Sequence, residues 1–318
     1  MDDRNFEMIE TDGAVLRTVV EGEGPLVILL HGWPQCWYLW RHQIDPLVAA
    51  GFRVAVPDQR GYGGSSCPPA VADYNIRKLA ADVDAIRAAL GYDTFNLVGH
   101  DWGCVVAWNT ALLYEDNCAS VMGLSVPFWR MAEEALHPPG MDDRFWYIRY
   151  FQEEEIVEAE LDADLERSLR TVFSSLGGES PMGAWMTQLE HPIGCGLLDA
   201  LPEPTPLPPW IAEADLAYYV EQYRNHGFRG PTNWYRNIPT NNALTPELEN
   251  KKIAQPAAFA AGTEDDVLLY DSDWHDKFVG GFEALRFLEM VEGAGHWLQV
   301  EKPAETTALI LRFLREVN

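Results

Sequence analysis

Leu97-Val98-Gly99-His100-Asp101-Trp102-Gly103-Cys104 is the stretch whose reading decides the fold. Phe95-Asn96-Leu97-Val98 before it reads as a buried strand, and Cys104 to Tyr114 after it reads as a helix. Glycines stand two residues before and two after the central Asp101. Small residues at those places allow a sharp strand-to-helix turn. The central side chain is then exposed above the end of the strand, beside the backbone N–H groups that open the helix. The competing reading is an aspartate that only caps the helix, so the rest of the chain must decide.

Working outward, strands and helices alternate. Val15 to Val20, Leu26 to Leu30 and Arg53 to Val56 read as strands, and Ile76 to Leu90 has helical apolar spacing ending at Gly91. Such alternation predicts a largely parallel sheet covered on both faces. From about Trp129 to Pro239 the pattern is helical, as in Glu153 to Leu176 and Asp215 to His226, with a proline-rich loop from Leu201 to Pro209 and no convincing strand. Strands return at Pro256 to Ala261 and Leu285 to Met290, and Pro303 to Val317 reads as a closing helix. The expected architecture is an α/β core, residues 1–129 and 240–318, interrupted by a helical cap, residues 130–239.

Composition narrows the class. The net charge is −26, with five lysines (Lys78, Lys251, Lys252, Lys277, Lys302) among 49 acidic residues, which disfavours nucleic acid and anionic membranes as partners. No apolar run reaches the ~20 residues of a membrane span. The start, Met1-Asp2-Asp3-Arg4-Asn5, is charged and lacks the apolar run of a secretory signal. Five cysteines without paired spacing predict reduced thiols, and a cytoplasmic location is expected.

A nucleophile at such a turn needs an acid and a histidine later in the chain, in that order. His296, in Glu292-Gly293-Ala294-Gly295-His296, sits in a glycine-flanked loop after a strand. Glu264-Asp265-Asp266 follows the strand ending near Ala261; Asp265 is the first choice for the acid and Asp266 the second. His100 should point away from the cleft. An oxyanion hole takes two backbone N–H groups. Trp102 N–H, next to the nucleophile, is one; Trp33 N–H, in His31-Gly32-Trp33-Pro34, is the other, and a cis Trp33–Pro34 bond is expected.

Aspartate in place of serine carries chemical content. Alkylating serine leaves an ether, which water does not readily cleave. Alkylating a carboxylate leaves an ester, which activated water hydrolyses. Asp101 thus suits attack on a saturated carbon, in an epoxide or an alkyl halide.

With these residues in place, the chain from about residue 10 to 318 resembles the soluble epoxide hydrolases of the α/β-hydrolase fold. The matching stretches include His31-Gly32-Trp33-Pro34 with Trp37-Tyr38-Leu39-Trp40, Asp58 to Ser66, Gly99 to Gly103, and Val126-Pro127-Phe128. Tyr147 to Gln152 and Gly227 to Asn237 match in the helical insertion. The resemblance implies that two cap tyrosines donate hydrogen bonds to the epoxide oxygen. They fall at Tyr147, four residues before the Phe of Phe151-Gln152, and at Tyr235, in Asn233-Trp234-Tyr235-Arg236-Asn237. Tyr150, Tyr218 and Tyr219 are expected to be packing residues.

Two departures stand out: Glu154-Glu155 where the family often has Pro-Gly, and Gln35 where a Glu is common. No phosphatase-like N-terminal domain is seen, so that activity of the mammalian protein is not expected. The chemistry needs an epoxide and water, with no metal or organic cofactor. A haloalkane or haloacid dehalogenase using the same Asp101 is the enzyme alternative; a non-catalytic small-molecule receptor on the same fold is the other.

Overall fold

In the computed structural model, which describes residues 4–130, 132–202 and 206–318, the apolar runs pair into one sheet. Its strands are β1 (Phe6–Thr11), β2 (Ala14–Glu21), β3 (Leu26–Leu30), β4 (Arg53–Pro57), β5 (Phe95–His100), β6 (Cys118–Leu124), β7 (Ile253–Gly262) and β8 (Phe282–Val291). Their order is β1-β2-β4-β3-β5-β6-β7-β8. β1–β2 and β2–β4 pair antiparallel, and the remaining pairs are parallel. Central parallel strands are covered on both faces, which is why β3 and β5 are buried at every position instead of alternating.

The covering helices outside the insertion are α1 (Ile44–Ala49), α2 (Ile76–Ala89) and α3 (Trp102–Leu113) early in the chain. Asn75 caps α2 by accepting the Arg77 and Lys78 N–H groups, and Gly91, at φ 78°, turns the chain away after it. Seven helices lie between β6 and β7 among the described residues: α4 (Tyr147–Tyr150), α5 (Ile156–Leu161), α6 (Leu165–Ser175), α7 (Leu197–Ala200), α8 (Glu213–Tyr223), α9 (Arg229–Arg236) and α10 (Ile238–Leu244). After β7 come α11 (Trp274–Gly280), α12 (Leu298–Glu301) and α13 (Pro303–Val317).

The sheet's connectivity places the site. From β3 the chain goes to β4 on one side, while β5 lies on the other, so the direction of winding reverses between β3 and β5. A crevice opens outside the carboxyl ends of strands at such a point. The loop from His31 leaves β3 there, and Asp101 follows β5 directly.

Two readings need correction. Glu153 to Leu176 is not one helical run: α5 and α6 are separate, because Asp164 turns out of the helix and caps α6 by accepting Arg167 N–H at 3.0 Å. Asp162 is likewise spent on the Phe228 N–H at 2.9 Å. β1 and β6 were not expected; β1 is an edge strand in which only Ile9 is buried, and β6 carries Ala119, Ser120 and Gly123 among its apolar residues. Part of the proline-rich loop, residues 203–205, and the first three residues lie outside the described residues. No helix among the described residues is long and apolar enough to cross a membrane.

Candidate active site

Asp101 occupies the turn between β5 and α3 with φ 53° and ψ −122°. A non-glycine residue held at positive φ costs on the order of 1–3 kcal/mol, which the surrounding packing must impose. The glycines make that packing. A Cβ at Gly99 would stand 2.3 Å from the Gly103 carbonyl oxygen, and one at Gly103 would stand 2.2 Å from that of Leu30. The side chain of Asp101 makes no capping bond to α3, so the plain capping role fails.

The loop after β3 reaches this carboxylate. Trp33 N–H donates to Asp101 Oδ1 at 2.7 Å, and the Trp33–Pro34 bond is cis. The loop is held by His31, whose Nε2 accepts the Gln59 N–H at 3.0 Å, so Nδ1 carries the hydrogen and donates to the Gly32 carbonyl at 3.0 Å. Burial pushes the His31 pKa down, which favours this neutral form. Trp102 is the first residue of α3, where an N–H has no intrahelical acceptor. It makes no hydrogen bond to Asp101 among the described residues.

His296 stands on the other side of the carboxylate. Its Nδ1 lies 3.1 Å from both Asp265 carboxylate oxygens, and its Nε2 lies 3.7 Å from Asp101 Oδ2. Burial opposes a charge on the imidazole, but Asp265 and Asp101 outweigh it and raise the pKa to about 10. The His296 carbonyl accepts from His100 Nε2 at 2.8 Å and from Ser125 Oγ at 2.9 Å, so His100 lies behind the site. Glu301, unnoticed in the sequence, accepts the N–H groups of Gly178 and Gly295 at 2.8 Å and of Trp297 at 2.9 Å. One carboxylate thereby ties the histidine loop to the end of the α6 segment.

Asp265 and Asp266 have separate tasks. Asp265 faces His296, whereas Asp266 accepts Gly183 N–H at 2.6 Å and Trp185 N–H at 2.8 Å in the insertion.

A cavity of about 700 Å³ opens over Asp101, and Tyr147 and Tyr235 line it together with Trp102. Their rings are edge-on with centroids 5.8 Å apart. Gln152 binds α4 to α9 by donating to the Ile148 carbonyl at 2.8 Å and the Tyr235 carbonyl at 3.2 Å. Arg236 adds a bond to the Phe151 carbonyl at 3.0 Å and an ion pair with Glu158 at 2.6 Å. Burial, with nearby Asp101, pushes both phenols above their ordinary pKa. They therefore stay protonated at neutral pH and can donate. Tyr150, Tyr218 and Tyr219 lie outside the cavity lining; Tyr150 bonds Glu160 and Tyr218 accepts from Trp37. Of the residues that could shape the pocket, Trp146 and Met186 line it, Trp185 is buried behind it, and Met182 points to solvent.

The mostly parallel sheet with its flanking helices is an α/β-hydrolase architecture, and residues 25–181 match the alpha/beta hydrolase fold family. The chain is 42% identical over 317 residues to Epoxide hydrolase A of Mycobacterium tuberculosis (strain ATCC 25618 / H37Rv), with 96% of each chain covered. It is similar to the crystal structure of Epoxide Hydrolase A from Mycobacterium thermoresistibile, with TM-score 0.90, 42% identity and 98% of each chain covered. An epoxide hydrolase from an endophytic Streptomyces aligns with TM-score 0.94 and 35% identity, covering 99% of this chain and 96% of that one. The chain belongs to the epoxide hydrolase family.

Proposed function

We propose that the protein opens epoxides to vicinal diols through an ester on Asp101, with residues 130–239 serving as the cap over the site. The observation that carries this reading is the meeting of one carboxylate and two phenols, Asp101, Tyr147 and Tyr235, in a single cavity.

Asp101 Oδ2 attacks an epoxide carbon. The carbon–oxygen bond breaks, and its electron pair stays on the ring oxygen, which takes a proton from Tyr147 or Tyr235. His296, oriented by Asp265, then removes a proton from water as the water oxygen attacks the ester carbonyl carbon. Charge collects on Oδ1, where Trp33 N–H already donates and Trp102 N–H stands ready. Collapse breaks the bond from that carbon to Oδ2, and the departing oxygen takes the proton from His296. Asp101 loses a proton to solvent and the phenolate regains one. The sum is epoxide plus water giving diol, and no step calls for a metal or organic cofactor.

Diol formation from a panel of epoxides, with halide release from matched haloalkanes measured beside it and Asp101→Ala as the blank, tests this reading. Diol that disappears in the mutant, without halide, supports it. Halide without diol assigns the site to dehalogenation, and stoichiometric binding without turnover assigns it to a receptor.

A further inference from the structure

Behind Tyr147 lies a third phenol, Tyr270, at the end of the short turn Asp266–Tyr270 that follows the acid Asp265. The indole N–H of Trp185 donates to Tyr270 Oη. The Tyr270 ring lies beside that of Tyr147, with centroids 6.3 Å apart and planes inclined by 36°. Both phenols line the cavity over Asp101. We propose that Tyr270 is a positioning residue for epoxide opening: it gives its hydroxyl hydrogen to Tyr147 and so turns Tyr147's own hydrogen toward the substrate oxygen. This rests on the epoxide-opening reading above.

The direction of the chain follows from what each group can do. An indole N–H only donates, so Tyr270 Oη accepts from Trp185 and keeps one hydrogen to give. Tyr147, the neighbouring phenol in the same cavity, is the acceptor assigned to it. A phenol has a single hydrogen. Once Tyr147 accepts from Tyr270, its own hydrogen is left for the cavity. The same donor then stabilises the phenolate that forms when Tyr147 gives its proton up.

The chain is anchored at its far end. Trp185 is 2% exposed, its N–H is held by Asp266 at 2.8 Å, and its ring stands 5.2 Å from that of Tyr147. Gln188 closes the arrangement by donating to the Trp185 carbonyl and accepting the Tyr147 N–H, each at 3.0 Å. Tyr147 is thus held by its backbone and packed by its ring against one segment of the insertion. Asp265 and Tyr270 flank the same turn, so that turn supports the histidine at one end and the phenol at the other.

Single-turnover kinetics with excess enzyme and styrene oxide test the proposal, with the ester read by intact mass and the diol by chromatography. Tyr270→Phe should slow ester formation about 10- to 100-fold, the usual effect of losing a hydrogen bond to a charged group. It should leave the rate of ester hydrolysis unchanged. Adding it to Tyr147→Phe should cost nothing further, because Tyr270 acts through the Tyr147 hydroxyl. Trp185→Phe, which keeps an aromatic ring in that space, should slow the same step by less, and serves if Tyr270→Phe does not fold. Ester formation at the wild-type rate in Tyr270→Phe overturns the proposal. So does an equal loss in the Tyr147→Phe background, or an equal slowing of both steps. Wild-type protein that forms neither ester nor diol overturns the epoxide reading, and this proposal with it.

Discussion

His296 Nε2 stands 3.7 Å from Asp101 Oδ2, while Asp101 Oδ1 is held at 2.7 Å by Trp33 N–H. The two carboxylate oxygens therefore face different groups, one toward the His296 imidazole, the other onto the Trp33 N–H. If this division is functional, removing the histidine should separate the half-reactions. His296→Gln is expected to form the ester but hydrolyse it ~10²–10⁴-fold more slowly. Intact mass spectrometry should then show the enzyme heavier by one epoxide; an unmodified mass after incubation would count against it.

Both carboxylates support the raised pKa of His296, and alkylation turns Asp101 into a neutral ester. The pKa of His296 is therefore expected to fall from about 10 in the free enzyme as the ester forms, which readies the imidazole to act as a base. Histidine NMR titration of the free protein and of trapped ester checks this. The fold also favours the imidazolium over its unfolded value of 6.5. That stability is fully present below pH 6.5 and is lost as pH rises through about 10.

Glu301 works in a different pH window. Burial raises its pKa from 4.5 to about 7, even though three N–H groups favour the carboxylate. The protonated form is the one the fold favours, so this stability is present below pH 4.5 and is lost as pH rises through about 7. Thermal unfolding between pH 4.5 and 8 should show a falling melting temperature in wild-type protein and a flatter curve in Glu301→Gln. Parallel curves would rule the assignment out.

Gly32 sits against Asp101: a Cβ there would lie 2.2 Å from Asp101 Oδ1. Gly32→Ala should push the carboxylate off the Trp33 N–H and reduce kcat by ~10²–10³, the usual cost of losing such a donor. Circular dichroism should stay that of the wild type, and retained activity would argue against the oxyanion role.

The two neighbouring aspartates are separable by mutation. Asp265→Asn should reduce turnover ~10²–10⁴-fold and also lower the melting temperature, by removing a charge that holds His296 as imidazolium. Asp266→Asn should mainly lower the melting temperature, since it releases the Gly183 and Trp185 N–H groups. Steady-state rates and thermal melts of the pair decide between them, and a reversed pattern would exchange their roles.

What could be read from sequence follows from how local the signals are. Gly99 and Gly103 around Asp101, and the apolar β3 and β5, are short-range patterns, so the turn and the sheet core were legible. His296 and Asp265 were legible because strand ends in this fold follow a fixed order. Tyr147 and Tyr235 came through resemblance; nothing in their spacing sets them apart from Tyr150 or Tyr218. Tyr270 was invisible because its partner Trp185 lies 85 residues away in the chain, and Glu301 because the Gly178 it joins to the nearby Gly295 and Trp297 lies 123 residues away. The split between α5 and α6 was missed because apolar spacing continues across it, and only the Asp164 cap marks the break.

The central claim is the ester on Asp101, and one turnover in H₂¹⁸O with excess enzyme tests it most directly. Hydrolysis at the carbonyl carbon puts the heavy oxygen into Asp101, and the diol of that first turnover leaves carrying the light oxygen of the carboxylate. Peptide mass analysis should find ¹⁸O in the Asp101 peptide and none in the diol. Heavy oxygen in the first-turnover diol, with an unlabelled Asp101 peptide, would mean that water attacks the epoxide directly and would contradict the account.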